Sequence, residues 1–220
     1  MSETKTIAII EATSEMGSAI AKSLLNIGTY RLLLMSNDQV KLEGLLTQLE
    51  KPQRDTEVFT MSCAREASWE ADIIIVATPH GAEAEVGDRI REVATGKIVI
   101  SISNPLIEAY YYPVTSDDTS AAEELQKLLP YSKVVKAFST MFPVDFIQRP
   151  LDKQALDVFI SGNNWKALET VSQIVAHAGF NPIVVGDLTV SRTLERVRFK
   201  LIQHSIKDYN WPGVWKILYT

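Results

Sequence analysis

Residues 6–17 read TIAIIEATSEMG. Ile7, Ile9 and Ile10 form a short β-branched apolar run of the kind that makes a buried strand. A tight polar turn follows. From Gly17 onward Ala19, Ile20, Leu24 and Leu25 fall at helical spacing. Strand, tight turn and helix in this order make the first βα unit of a dinucleotide-binding fold. The fingerprint G-x-G-x-x-G would fall on Ala12, Ser14 and Gly17, so only the last glycine is present. The first glycine normally makes the turn and the second admits a diphosphate to the backbone, so Ala12 and Ser14 are expected to crowd both places. Glu11 and Glu15 add negative charge where a diphosphate would lie. Two like charges at about 4 Å repel by about 1 kcal/mol in water and about 4 kcal/mol near a protein surface.

Outward from this unit, continuous apolar runs recur at Leu32–Met35, Ile73–Ala77 and Ile98–Ile102, with a shorter strand at Val58–Met61. Such runs mark parallel strands covered on both faces. Helical patterns at Gly17–Leu25, Asp38–Leu49 and Gly81–Val93 separate them, with Asp38 as an N-cap. Further on, Ser120–Leu129 is helical, and Ser120 with Glu123 forms a capping-box pattern. Strands are expected at Val134–Phe138, Val158–Ser161 and Asn181–Val185. Helices are expected from Asn164 to His177 and from Arg192 to Ile206. The fold class is α/β: a Rossmann-like, doubly wound, mainly parallel sheet with a small C-terminal helical extension. Residues 1–188 form the nucleotide-binding domain, and residues 189–220 the extension, packing on that domain or on a partner subunit.

The 220 residues are 46% hydrophobic and 22% charged, ordinary values for a folded soluble domain. A net charge of −5 without long charged runs argues against nucleic-acid or anionic-membrane partners. A single cysteine, Cys63, excludes an internal disulfide and a zinc cluster. No leader pattern opens the chain, and no apolar stretch reaches membrane-span length, so a reducing cytoplasm is the expected location.

Ligands of open parallel sheets bind beyond the carboxyl ends of the strands. The residues there are Thr13, Ser14, Glu15 and Met16; Ser36, Asn37 and Asp38; Thr78, Pro79 and His80; Ser103, Asn104 and Pro105; and Phe138, Ser139 and Thr140. His177 and His204 read as structural histidines, whereas His80 sits where a ligand could touch it. Tyr110–Tyr112 either stack on a flat cofactor or cover a loop, and Trp211 and Trp215 read as dimer or core packing. The Tyr-x-x-x-Lys pair of short-chain dehydrogenases is missing, since Tyr131 and Lys136 stand at the wrong spacing.

Four longer stretches, ADIIIVATP (71–79), GKIVISISNPL (96–106), SAAEELQKLLPYSKVVKAFST (120–140) and GFNPIVVGDL (179–188), resemble the F420-dependent NADP oxidoreductase family. The reductase domain of STEAP-type metalloreductases is similar. The resemblance implies an NADP-binding domain that passes hydride to a flavin-like, deazaflavin (F420-like) or quinone-like acceptor, and a C-terminal part that helps form a homodimer. It implies Ala12, Thr13, Ser14, Glu15 and Met16 at the diphosphate, and Ser36, Asn37 and Lys41 at a 2′-phosphate. Ala77, Thr78, Pro79, Asn104, Pro105 and Ala137 would lie beside the nicotinamide. The family's first turn usually reads like GGTGPLG, so Thr13 and Gly17 match; Ser36 matches, and Asn37 stands where the family has arginine. No acidic residue stands at position 36 to hold ribose hydroxyls, which favours NADP over NAD. No catalytic side chain or metal is implied, because the cofactors supply the reactivity. The crowded turn leads to an expectation of weak NADPH binding. The rival expectation is a non-catalytic Rossmann protein that senses or weakly binds a nucleotide, or has lost its cofactor.

Overall fold

The computed structural model describes residues 4–49, 57–78, 81–104, 118–146 and 155–207. Eight strands form one sheet: β1 (Thr6–Ile10), β2 (Arg31–Met35), β3 (Val58–Met61), β4 (Ile73–Val76), β5 (Ile98–Ser101), β6 (Lys133–Lys136), β7 (Asp157–Gly162) and β8 (Asn181–Gly186). Their spatial order is β3-β2-β1-β4-β5-β6-β7-β8. Among the described residues seven α-helices connect or follow them: α1 (Glu15–Ile27), α2 (Gln39–Gln48), α3 (Ala64–Glu70), α4 (Glu83–Ile90), α5 (Ala121–Leu128), α6 (Trp165–His177) and α7 (Ser191–Lys207). The doubly wound, mainly parallel α/β fold is therefore as the sequence predicts, with β1 and β4 paired in its interior.

Side-chain alternation divides the core in two. Ile7 and Ile9 of β1 point to one face, into a core cluster that also holds Ile20 and Leu24 of α1, Leu42 of α2 and Val171 and Ile174 of α6. Ala8 and Ile10 point to the other, into a second cluster with Ala67 of α3, Ile90 of α4 and Leu125 of α5. Each fully buried isoleucine contributes on the order of 1.5–3 kcal/mol, and all five β1 residues are buried. Strands wrapped this way have no reason to alternate polar and apolar residues.

Two features differ from the sequence reading. Helix α3 has no counterpart in it: this seven-residue helix buries only Ala64, Ala67 and Ser68, too short and small-sided a face for a periodic signal. The sheet also reverses between β6 and β7, which pair antiparallel, while β7 and β8 again run parallel. Nothing in an apolar run encodes its direction. Helix ends follow their caps. Ser14, Asp38, Ser120 and Asn164 each accept a backbone N–H three residues ahead, as N-caps do.

The surviving glycine of the first turn is sterically required. A Cβ on Gly17 would stand 2.6 Å from the Glu11 carbonyl oxygen and 3.1 Å from the Ala12 Cα. Gly44, inside α2, has nothing within 4 Å of that position. Gly17→Ala is expected to cost about 1–3 kcal/mol through overpacking. Gly44→Ala should stabilise by about 0.5–1 kcal/mol, because alanine loses less entropy in a helix. Urea unfolding of the two variants beside the parent protein checks both signs.

Candidate functional site

The carboxyl ends of the six parallel strands β1 to β6 share one edge of the sheet, the edge at which open α/β sheets carry their ligand crevice. At its centre α1 begins directly after β1. Ser14 Oγ accepts the Gly17 N–H at 3.1 Å. The first N–H groups of a helix have no partner within it and carry its positive end, which attracts anions. Thr13 and Ser14 are half-buried at this place and Glu15 is exposed. The Ala12 methyl is wholly buried in the core and adds no atom to the crevice wall, so the crowding expected from it is absent. Met16 packs against the same core cluster.

At the end of β2 the hydrogen bonds run in an order that the sequence reading missed. Glu11 adopts a left-handed backbone, φ 60°, unusual for a residue with a Cβ. Its carboxylate accordingly turns toward β2 and away from the start of α1. Glu11 Oε2 accepts from the Ser36 hydroxyl at 3.1 Å, and Oε1 accepts from the Asn37 N–H at 3.1 Å. The expectation that Glu11 lies where a diphosphate would sit is corrected by this geometry. Lys41 forms an ion pair with Asp38 at 3.2 Å, exposed on both sides. The Lys41 N–H and side chain hold the Asp38 carboxyl below the ordinary carboxylate range.

The ends of β4, β5 and β6 carry buried polar groups. Ala77 and Ala137 are buried, and their N–H groups donate to Ile10 and Ser101 carbonyls. Thr78 Oγ1, Ser103 Oγ, Asn104 Oδ1 and Ser139 Oγ are buried without a hydrogen-bond partner among the described residues. Asn104 Nδ2 donates to the Ser139 carbonyl at 3.0 Å. Phe138, between Ala137 and Ser139, also has a positive φ of 59°. Buried polar atoms are almost always paired, so a cluster of orphans at one edge calls for an explanation. Pro79, His80, Pro105, Tyr110–Tyr112, Trp211 and Trp215 lie outside the described residues. His204 falls in α7.

Helix α7 lies across this edge. Ser191, Leu194, Glu195 and Arg198, one face of the helix, are all buried. The Glu195 carboxylate accepts from Lys136 Nζ at 2.7 Å, and from the Ala121 and Ala122 N–H groups at the start of α5 at 3.0 and 3.4 Å. Lys136, fully buried at the end of β6, also donates to the Ser103 carbonyl. One turn further along α7, the Arg198 guanidinium stacks 3.5 Å from the Phe142 ring centroid. Burial pushes it down to about 10, against the attraction of the Asp145 charge. Arg192 donates twice to Glu123, at 2.6 and 2.7 Å. Burial alone would raise the Glu123 carboxyl, but hydrogen bonds from Arg192 and Ser120 outweigh it and hold it below its usual value. The sequence offered no signal for Lys136, a charged residue closing an apolar run.

Other conspicuous residues are structural. His177 Nδ1 shares a 2.7 Å hydrogen bond with the Tyr30 hydroxyl. A groove of 1190 Å³ opens beside α1, between Lys22 and Asn26 and the turn Phe142–Phe146, and touches the crevice at Glu15. Among the described residues no group of three or more His, Cys, Asp or Glu could hold a metal ion, and no helix is long and apolar enough to cross a membrane.

A family model described as NADP oxidoreductase coenzyme F420-dependent matches residues 6–105. The chain resembles the F420-dependent NADP oxidoreductases. It is 28% identical over 211 residues to an F420-dependent NADP reductase of Methanocaldococcus jannaschii, covering 91% of this chain and 92% of that protein. It is 32% identical over 107 residues to the metalloreductase STEAP3 of Rattus norvegicus, covering 49% of this chain but 21% of that protein. A crystal structure of a putative F420-dependent NADP reductase from Arthrobacter sp. FB24 superposes with a TM-score of 0.78, at 22% identity, over 92% of this chain and 94% of that one. The matched family segment runs from β1 past β5 and includes the turn, Ser36, Thr78 and Asn104.

Removing one partner from a buried ion pair leaves the other charge uncompensated, at about 3–5 kcal/mol. Lys136→Met is therefore expected to lose stability of that order in chemical denaturation. Adding Glu195→Leu should recover only part of it, because the Ala121 and Ala122 N–H groups lose their acceptor.

Proposed function

We propose that this protein is an oxidoreductase that transfers hydride between a nicotinamide dinucleotide, NADPH by its likeness to the F420-dependent NADP reductases, and a flavin-like, deazaflavin or quinone-like acceptor. The observation that carries the reading is the cluster of orphaned polar atoms at the ends of β4, β5 and β6, namely Thr78, Ser103, Asn104 and Ser139. It lies on the same strand edge as the helix start at Gly17. That edge is where open α/β sheets hold dinucleotides, and a carboxamide-bearing ring would give these donors and acceptors partners. The similarity to the F420-dependent NADP reductases over nearly the whole chain supports the same reading.

In this reading Thr13, Ser14, Glu15 and Met16 hold the diphosphate through the start of α1, with Ala12 fixing the strand beneath them. Ser36, Asn37 and Lys41 lie at the adenosine end. Ala77, Thr78, Pro79, Asn104, Pro105 and Ala137 line the nicotinamide end. When bound, NADPH supplies a hydride, which the acceptor ring takes up together with a proton from solvent. The chain's own contribution is to hold two flat rings in one orientation and to exclude water, so no general acid or base is needed. Residues 1–188 act as the binding domain. The extension 189–220 closes over the crevice through α7 and contributes to a homodimer, and the single cysteine fits a reducing cytoplasm.

A second reading, a non-catalytic nucleotide sensor, is favoured by one feature. The Glu11 carboxylate already occupies the donors of Ser36 and Asn37. NADPH titration followed by fluorescence and thermal shift separates the two. Binding on the order of tens of micromolar, with NADPH oxidation on adding a deazaflavin or flavin, is the expected outcome. Dinucleotide binding without turnover of either acceptor or of a quinone would favour the sensor. No binding by NADPH or NADH would sink both readings.

A further inference from the structure

The glutamate at position 11 stands in a conformation that favours glycine, and the hydrogen bonds it makes there are specific. Its two carboxylate oxygens take the Ser36 hydroxyl and the Asn37 N–H, both at 3.1 Å. Ser36 is fully buried. Its Oγ lies 2.6 Å from Thr13 Oγ1 and accepts the Asp38 N–H at 3.2 Å. Because the Ser36 proton goes to Glu11, the Thr13 hydroxyl must donate to Ser36, and the oxygen of Ser36 is saturated. Thr13, Ser36 and Asn37 thus form a chain of donors that ends on one anion, and that anion belongs to the protein. Lys41, in the first turn of α2, is paired with Asp38.

The end of β2 is where a dinucleotide's adenosine ribose is read. A carboxylate there accepts from the free 2′-hydroxyl, and a cation accommodates a 2′-phosphate. Here the carboxylate is present, but it is delivered from the end of β1 instead of from position 36. We propose that Glu11 is the specificity-determining residue of the dinucleotide site. It is an internal anion seated among the donors that a 2′-phosphate would need, and it selects a dinucleotide whose 2′-hydroxyl is free. This rests on the reading of the strand edge as a dinucleotide crevice and changes which dinucleotide that crevice prefers. A 2′-phosphate would have to displace the Glu11 carboxylate from Ser36 and Asn37 and would meet its charge in doing so. A 2′-hydroxyl can donate to the same carboxylate and leave both bonds in place.

Calorimetric titration of NADH and NADPH into the parent protein, Glu11→Gln and Glu11→Gly tests this. The parent is expected to bind NADH at least as tightly as NADPH. Both variants should bind NADPH at least tenfold more tightly than the parent. Glu11→Gln, which keeps the size and loses the charge, should change NADH affinity by less than threefold. Glu11→Gly removes the left-handed strain, so its melting temperature reports that the turn is intact. A parent that prefers NADPH tenfold or more, or a Glu11→Gln variant that moves both dinucleotides by the same factor, overturns the assignment. If NADH and NADPH bind none of the three proteins, the dinucleotide reading of the crevice fails and the role of Glu11 fails with it.

Discussion

The contact between Gly17 and the end of β1 is the constraint on which the crevice depends. With a Cβ position only 2.6 Å from the Glu11 carbonyl oxygen, helix α1 can start this close to the strand only because residue 17 has no side chain. The close approach aims the first N–H groups of α1 at the strand edge. It also leaves the turn so short that Glu11 takes a positive φ. That backbone throws the Glu11 side chain sideways over β2. One steric condition therefore bears on both the anion-attracting start of the helix and the anion held at the end of β2.

The crevice is electrostatically divided as a result. Its middle is the positive end of a helix dipole. Its β2 side carries the carboxylates of Glu11 and Asp38, the first held by hydrogen bonds and the second by a cap and by Lys41. Its far side, at β5 and β6, is neutral on balance, because the Lys136 charge is matched by Glu195 inside the protein. A ligand lying along this edge would meet first an acidic, then a basic and finally a neutral polar environment. That order suits a molecule with hydroxyls at one end, phosphates in the middle and an uncharged polar ring at the other.

Most of the fold was legible because burial on both faces writes parallel strands as unbroken apolar runs. Ile7–Ile10 and Ile73–Val76 could hardly be anything else, and the caps at Asp38 and Ser120 marked helix starts. What stayed hidden was hidden for physical reasons. The reversal at β7 is a property of the connection and not of the strand. Helix α3 covers the sheet with alanines, which carry little periodic signal. In the site, Glu11 was visible as a charge but not as a direction, since φ is not written in residue type. The pairing of Lys136 with Glu195 joins residues 59 positions apart, and neither residue shows by itself that it will be buried.

That last pairing has a consequence for the order in which the chain can assemble. Strand β6 carries into the interior an ammonium group whose carboxylate partner belongs to the last helix described. A nascent chain that has emerged only as far as β8 holds every strand of the sheet. Yet it has no counter-charge for Lys136 and no acceptor for the Ala121 and Ala122 N–H groups. Burying that lysine unpaired is strongly unfavourable, so the β5–β6 side of the sheet must stay hydrated until α7 arrives. The carboxyl-terminal helix thus works as a completion check: the interior at this edge can dry only when synthesis has passed Glu195.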